Sequence, residues 1–166
     1  RGQAHAIVKG DGDVVWRQVL ADCVAGHPEP FYDGGRIEGA AFAPARWDLM
    51  PVDKYMWGSV QTLRGCPKHC SFCSVWRTVG QKPRPRVTDD VIEELVALRR
   101  RGIRFIALAD DNFYPVTLED LAMAARRKDD THLRELQAIR QERFELMARM
   151  EDLPEDMVFY TQVTME

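Results

Sequence analysis

Three cysteines lie close together in this chain, at Cys66, Cys70 and Cys73, in the spacing Cys-x3-Cys-x2-Cys. They follow directly after residues 61–65. A structural site for a single metal ion generally uses four protein ligands, whereas this group supplies three. Three close thiolates without an obvious fourth partner indicate a metal centre that keeps one coordination position open for another molecule.

The same spacing is compatible with other uses of these cysteines. His69 could complete a Cys3His zinc set, but His69 and Cys70 are neighbours and would strain a tetrahedral site. A disulfide would leave one of the three cysteines unpaired, and four cysteines in the whole chain are too few for a secreted disulfide scaffold. The bacterial ferredoxin run has a different spacing. The iron–sulfur interpretation is favoured, with zinc as the alternative.

The residues around the cysteines add a resemblance. With Phe72 directly before the last cysteine, the segment resembles the signature of the radical S-adenosylmethionine (SAM) superfamily. Residues 64–67, 84–86 and 110–113 (Arg-Gly-Cys-Pro, Arg-Pro-Arg and Asp-Asp-Asn-Phe) resemble the subgroup of that superfamily with an N-terminal cobalamin-binding domain. The resemblance covers residues 55–166 well and residues 1–54 only weakly.

The resemblance implies a [4Fe–4S] cluster held by Cys66, Cys70 and Cys73, with SAM chelating the fourth iron. An electron entering the cluster would cleave SAM to a 5′-deoxyadenosyl radical that abstracts hydrogen from a substrate. The protein would supply ligation, orientation and a dry pocket. The expected partners are a small-molecule substrate and an electron donor of the flavodoxin or ferredoxin type.

Further cofactor-binding residues are assigned by the same resemblance. Phe72 is expected to pack on the adenine side of SAM. Asp110, Asp111 and Asn112 are expected near the SAM amino group, with Asp111 the first choice by position. Adjacent carboxylates repel each other unless a positive group lies between them, and a helix cap or an Asx turn is the alternative interpretation. Gln162, at the end of the last strand, is expected to line the cavity.

The elements that must position these residues alternate between strand and helix. Strands are predicted over 56–63, 103–109 and 157–165, the second of them covered on both faces. Helices are predicted from Thr88 or Asp89 to Arg101, from the pair Thr117 and Asp120, and over 131–151 with Leu133, Leu136, Phe144, Met147 and Met150 inside. This alternation predicts a parallel sheet whose ligands collect at the carboxyl ends of its strands, where both motifs lie.

The predicted fold class is therefore α/β, with parallel βαβ units. Residues 55–166 are expected to form the N-terminal part of a truncated, partial TIM-like (β/α) barrel of the radical SAM type. Residues 27–54, rich in Pro and Gly, are expected to be a linker or wrapping segment. Residues 1–26, a strand and a helix, are expected to be a remnant of an upstream doubly wound, cobalamin-binding-like domain. Cobalamin itself is expected only in the full-length parent.

Composition sets wider limits. The chain is 45% hydrophobic and 30% charged with a net charge of −3, which is ordinary for a globular protein. It has no apolar run that could span a membrane and no signal-peptide pattern, and its thiols suit the cytoplasm.

Basic residues outnumber acidic ones over residues 64–104. Three of them, Arg99 to Arg101, would offset a helix dipole. Lys82, Arg84 and Arg86 could hold an anionic cofactor or substrate, but they are expected to face solvent. No nucleic-acid partner is expected. Cys23 is expected to be a small buried hydrophobe.

These patterns predict a radical SAM enzyme whose reaction class is open. One alternative is a fragment that binds a cluster but is catalytically incomplete. A zinc-binding interaction module is the other.

Overall fold

The computed structural model describes residues 4–164, a mixed α/β arrangement. Its strands are β1 (Ile7–Lys9), β2 (Phe31–Asp33), β3 (Gly58–Val60), β4 (Leu63–Arg64), β5 (Arg84–Pro85), β6 (Phe105–Leu108) and β7 (Val158–Tyr160). Its α-helices are α1 (Trp16–Val24), α2 (Val75–Thr78), α3 (Thr88–Arg100), α4 (Leu118–Arg126) and α5 (Asp130–Met150). None of the helices in this part of the chain is long and apolar enough to cross a membrane.

The main sheet has three parallel strands in the order β3-β6-β7. Alternate residues of β3 and β6 point to one buried face, where Val60, Ile106 and Leu108 meet apolar side chains of α3 and α5. On the other face Phe105 and Tyr160 are exposed. The predicted parallel sheet and partial barrel are confirmed. The prediction that residues 103–109 are covered on both faces is wrong for the described residues, because no helix covers the second face.

The helices follow the predicted pattern with two corrections. Thr117 and Asp120 form a reciprocal capping box at the start of α4, as predicted. The start of α3 differs, because its N-cap is Val87 and no side chain caps it. Phe144 was predicted inside α5 but is 45% exposed, with its ring edge-on to Tyr114 at 5.8 Å between centroids.

The predicted strand over 56–63 is divided in two. Its first part is β3 in the main sheet, and its end is β4, which pairs antiparallel with β5 through Leu63 and Pro85. This small ribbon closes the base of the segment that carries the three cysteines. The short helix α2, which follows that segment, was not predicted.

The N-terminal residues form a parallel βαβ unit, because β1 pairs with β2 and α1 connects them. Residues 27–54, expected to be a linker or wrapping segment, contain a strand at Phe31–Asp33 that Pro and Gly on both sides concealed in the sequence. Tyr32 and Phe42 in this segment are buried, as its aromatic content suggested. Cys23 is exposed, so the prediction that it is buried is wrong.

Two arginines that were expected in solvent are buried. Arg84 Nη1 lies 2.5 Å from Asp11 Oδ2, and Arg86 Nη1 lies 2.6 Å from Glu94 Oε2. Neither acid is adjacent to its arginine in sequence, so the pattern around residue 85 could not show the pairs. Lys82 does remain exposed, 3.3 Å from Glu38.

Candidate functional site

The cysteine loop (residues 66–73) leaves the carboxyl end of β4 and leads into α2. Gly65, directly before it, has a φ of 93°, and a Cβ at this position would lie 2.5 Å from the carbonyl oxygen of Lys82. Glycine is therefore required at this turn. The N–H of Cys66 then donates to the Gly80 oxygen at 3.1 Å, which closes the base of the loop.

All three cysteines of the loop are free thiols. Cys66 and Cys73 are half-buried, Cys70 is exposed, and the Cys73 N–H donates to the Cys70 oxygen at 3.2 Å. Within residues 4–164 no three His, Cys, Asp or Glu side chains converge on a point where one metal ion could sit. A [4Fe–4S] cube binds each thiolate at a different iron, so three free thiols in one loop are a donor set for three of its irons.

Lys68, which lies between the first two cysteines, forms an ion pair that links the loop to α4. Lys68 Nζ lies 2.6 Å from Asp120 Oδ2, the carboxylate of the capping box of α4. Partial burial raises the pKa of Asp120, but bonds from Lys68 and from the N–H and hydroxyl of Thr117 outweigh it, so the pKa lies below its ordinary value. The ion pair holds the loop against the N-terminus of α4.

Asp110, the first residue of the predicted acidic pair, is buried and hydrogen-bonded to the chain that follows β3. Its carboxylate accepts bonds from the Thr62 N–H at 2.6 Å, the Thr62 hydroxyl at 2.5 Å and the Leu63 N–H at 2.9 Å. Burial raises the pKa of Asp110, and the Thr62 and Leu63 bonds and the Arg143 charge oppose that rise. These contacts join the end of β6 to the end of β3, so the geometry favours a positioning role.

Arg143 supports this junction and was missed in the sequence. Its side chain is completely buried, donates to the Thr62 hydroxyl at 2.7 Å and lies 3.9 Å from Asp110 Oδ2. It also pairs with the neighbouring Glu142 at 2.6 Å. The position could have been found, because Arg143 falls seven residues after Leu136 on the buried face of α5.

Asp111 is half-buried and faces the cysteine loop. Its Oδ2 accepts the N–H of Gly65 at 2.8 Å, one residue before the first cysteine. Asp111 also lines a cavity of about 790 Å³ together with Gln61, Arg64 and the turn at residues 10–13. The cavity therefore lies between the N-terminal βαβ unit and the carboxyl edge of the main sheet.

Asn112 contacts the first cysteine itself. Its Nδ2 lies 3.7 Å from Cys66 Sγ and 2.6 Å from Thr164 Oγ1, and its Oδ1 accepts the Thr164 N–H at 3.0 Å. The next residue, Phe113, donates its N–H to the Gln162 oxygen at 2.9 Å. Asp111, Asn112, the Gln162 backbone and the start of the cysteine loop thus share one edge, whereas the Phe72 ring is 91% exposed at the loop surface.

Together these features define a class of protein: a parallel α/β sheet that carries three free thiols in one loop at its carboxyl edge. Residues 60–158 match the radical SAM superfamily. The chain belongs to this superfamily of enzymes, whose cofactors are a [4Fe–4S] cluster and SAM.

Relatives give further context. The chain is 30% identical over 131 residues to an uncharacterised methyltransferase of Pyrococcus horikoshii, with 65% of this chain and 28% of that protein covered. It is 34% identical over 79 residues to the hopanoid C-2 methylase of Rhodopseudomonas palustris, with 47% and 15% covered.

A solved structure is also similar, that of the radical SAM methyltransferase TsrM from Kitasatospora setae with cobalamin and a [4Fe–4S] cluster bound. The identity is 20% and the TM-score 0.39, over 62% of this chain and 16% of that one. The chain spans less than a third of the length of each of these proteins.

Proposed function

We propose that this chain forms the cluster- and SAM-binding part of a radical SAM enzyme. Cys66, Cys70 and Cys73 would each ligate one iron of a [4Fe–4S] cluster, which leaves the fourth iron for the amino and carboxylate groups of SAM. One observation carries the proposal: three free thiols lie in one loop whose base is bonded to Asp111, at the carboxyl edge of a parallel sheet. When bound, the reduced cluster and SAM would supply the 5′-deoxyadenosyl radical.

The chain's own residues would bind and orient the cosubstrate. Asp111 is half-buried beside the cysteine loop, where its carboxylate would face the ammonium group of SAM. The exposed ring of Phe72 would cover the adenine, which would bury an otherwise solvated aromatic surface. Gln162, after β7, would line the same edge.

Asp110 and Asn112 are better suited to hold this edge in place than to bind SAM. Both carboxylate oxygens of Asp110 are engaged by β3 and the residues after it. The amide of Asn112 is engaged by Thr164 and Cys66. We therefore assign both residues to positioning.

The relatives support transfer of a methyl or methylthio group, because two carry methyltransferase or methylase names and another carries a methylthiotransferase name. The cavity of about 790 Å³ between the βαβ unit and Asp111 supports a corrinoid in the full-length parent, next to the cluster. On this proposal residues 1–33 belong to a cobalamin-binding-like domain and residues 55–166 to the radical SAM domain. The substrate would be a small molecule, the electron donor a flavodoxin or ferredoxin, and the compartment the cytoplasm.

The test is anaerobic reconstitution with iron and sulfide. We expect a brown protein with about four irons per chain. With dithionite and SAM it should release 5′-deoxyadenosine. Replacing Cys66, Cys70 or Cys73 by Ser should abolish iron binding, whereas the matched control Cys23→Ser, exposed on α1, should retain it.

The alternatives give different results. A colourless protein with one zinc ion would refute the proposal in favour of a zinc module. A brown protein that forms no 5′-deoxyadenosine would identify a chain that binds the cluster but is catalytically incomplete.

A further inference from the structure

We propose that Asn112 is a positioning residue that donates an N–H···S hydrogen bond to Cys66 and thereby raises the reduction potential of the cluster. The inference rests on the proposed function, because it needs Cys66 to ligate iron. It goes further by naming a residue outside the cysteine loop that controls how readily the cluster accepts an electron. Its basis is the contact between Asn112 Nδ2 and Cys66 Sγ at 3.7 Å.

The orientation of the Asn112 amide follows from its other partner. The backbone N–H of Thr164 can only donate, and the Asn112 atom 3.0 Å from it must be the carbonyl oxygen, Oδ1. The amino group of the side chain therefore faces Thr164 Oγ1, at 2.6 Å, and Cys66 Sγ. An amino group has two N–H donors, one for each of these acceptors.

The position of Asn112 is held from three sides. Asp110 joins the preceding backbone to Thr62, and Asp111 bonds the N–H of Gly65. The N–H of Phe113 donates to the Gln162 oxygen. Asn112 itself is 5% exposed, so water does not compete strongly for its N–H groups. The donor is therefore preorganised beside Cys66 by the ends of all three strands of the main sheet.

The electrostatic consequence has a definite sign. Reduction adds one negative charge to the cluster, and part of that charge resides on the ligating sulfurs. An N–H aimed at a ligating sulfur places partial positive charge there, which stabilises the reduced form more than the oxidised form. Hydrogen bonds to the sulfurs are one of the factors that set iron–sulfur potentials. Removing this donor should make reduction harder.

The experiment is a redox titration of the reconstituted protein, in which the reduced cluster is followed by electron paramagnetic resonance. Asn112→Ala removes the donor without adding charge, and its potential should become more negative than that of the wild type at equal iron content. Asn112→Asp keeps the size and the acceptor for the Thr164 N–H but replaces the donor by a carboxylate oxygen. Its potential should be more negative still, since it also adds negative charge.

Thr164→Val is the matched control. It removes the hydroxyl partner of Asn112 but keeps the backbone N–H that orients the amide, so the Cys66 contact and the potential should be unchanged. An unshifted potential in Asn112→Ala with a full cluster would overturn the inference and leave the proposed function intact. An equal shift in Thr164→Val would also overturn it, because the effect would then come from repacking of the edge. A wild type that binds no cluster would refute both proposals.

Discussion

The N-terminal βαβ unit and the main sheet use the same local architecture but differ in how they bury it. In the main sheet, α3 places Val91, Leu95 and Leu98 completely out of solvent against β3 and β6. In the N-terminal unit, α1 buries Val19 alone, and Leu20 and Val24 are 49% and 90% exposed. An apolar pattern in the sequence therefore predicts that a helix forms, but not how far that helix is buried.

The two regions also differ in what holds them. The main sheet is held by an apolar core, whereas polar contacts join the N-terminal unit to the rest. Asp11 pairs with buried Arg84, and Asp13 pairs with Arg64 at 2.7 Å. The guanidinium groups of both arginines stack over Phe42, at 5.6 and 4.0 Å from its centroid. Electrostatic contacts thus take the place that hydrophobic contacts occupy in the main sheet.

The largest loss of stability is expected from a substitution where the two regions join. Arg84→Met removes the buried partner of Asp11 and leaves that carboxylate without its strongest counter-charge. Such a change typically lowers the free energy of unfolding by about 3–5 kcal/mol. We expect a lower free energy of unfolding in urea and faster hydrogen exchange of the β1 amides. Lys82→Met is the control, because the exposed Lys82–Glu38 pair should contribute about 0–1 kcal/mol. Equal losses in the two variants would show that Arg84 does not hold the unit.

A second prediction compares the two helices directly. Leu95→Ala leaves a cavity in the main core and should lower the free energy of unfolding by about 2–5 kcal/mol. Leu20→Ala makes the same chemical change on the exposed face of α1 and should change it by less than about 0.5 kcal/mol. Urea unfolding followed by circular dichroism measures both. A large loss in Leu20→Ala would mean that α1 packs against a surface in solution.

A third prediction concerns how the free energy of unfolding depends on pH, and its expected effect is the smallest. Burial raises the pKa of Asp11, but bonds from Arg84 and the Ile37 N–H outweigh it, so the pKa lies below 3.8. The hydrogen bond from Arg64 likewise lowers the pKa of Asp13. A carboxylate with a lowered pKa in the folded state stabilises the fold above its unfolded pKa and loses that contribution as pH falls through its folded pKa.

The measurement is urea unfolding of the reduced, metal-free protein at pH 7, where these carboxylates are ionised, and in steps from pH 4 to pH 2, over which they become protonated. The wild type should be more stable than Asp11→Asn at pH 7, and the difference should shrink as the pH falls below 3.8. A constant difference across this range would contradict an electrostatic origin.

Much of the framework could be predicted from local pattern. The helices at 88–100, 118–126 and 130–150 and the parallel strands of the main sheet follow from apolar spacing and from caps such as the Thr117 box. The partners of the buried residues Arg84, Arg86 and Arg143 could not be predicted in this way. Each arginine is stabilised by an acid or hydroxyl from a different element, and those partners meet only when the chain is folded.

Within the candidate site, the sequence alone determined the three thiols, their spacing and the strand ends from which the motifs emerge, because these depend on neighbouring residues. The tertiary structure decided the roles of the motif that follows β6: Asp110 faces Thr62, Asp111 faces Gly65, and Asn112 faces Cys66. The physical reason is that consecutive side chains point in different directions, and only the packing of β3 and β7 beside β6 sets what each one meets.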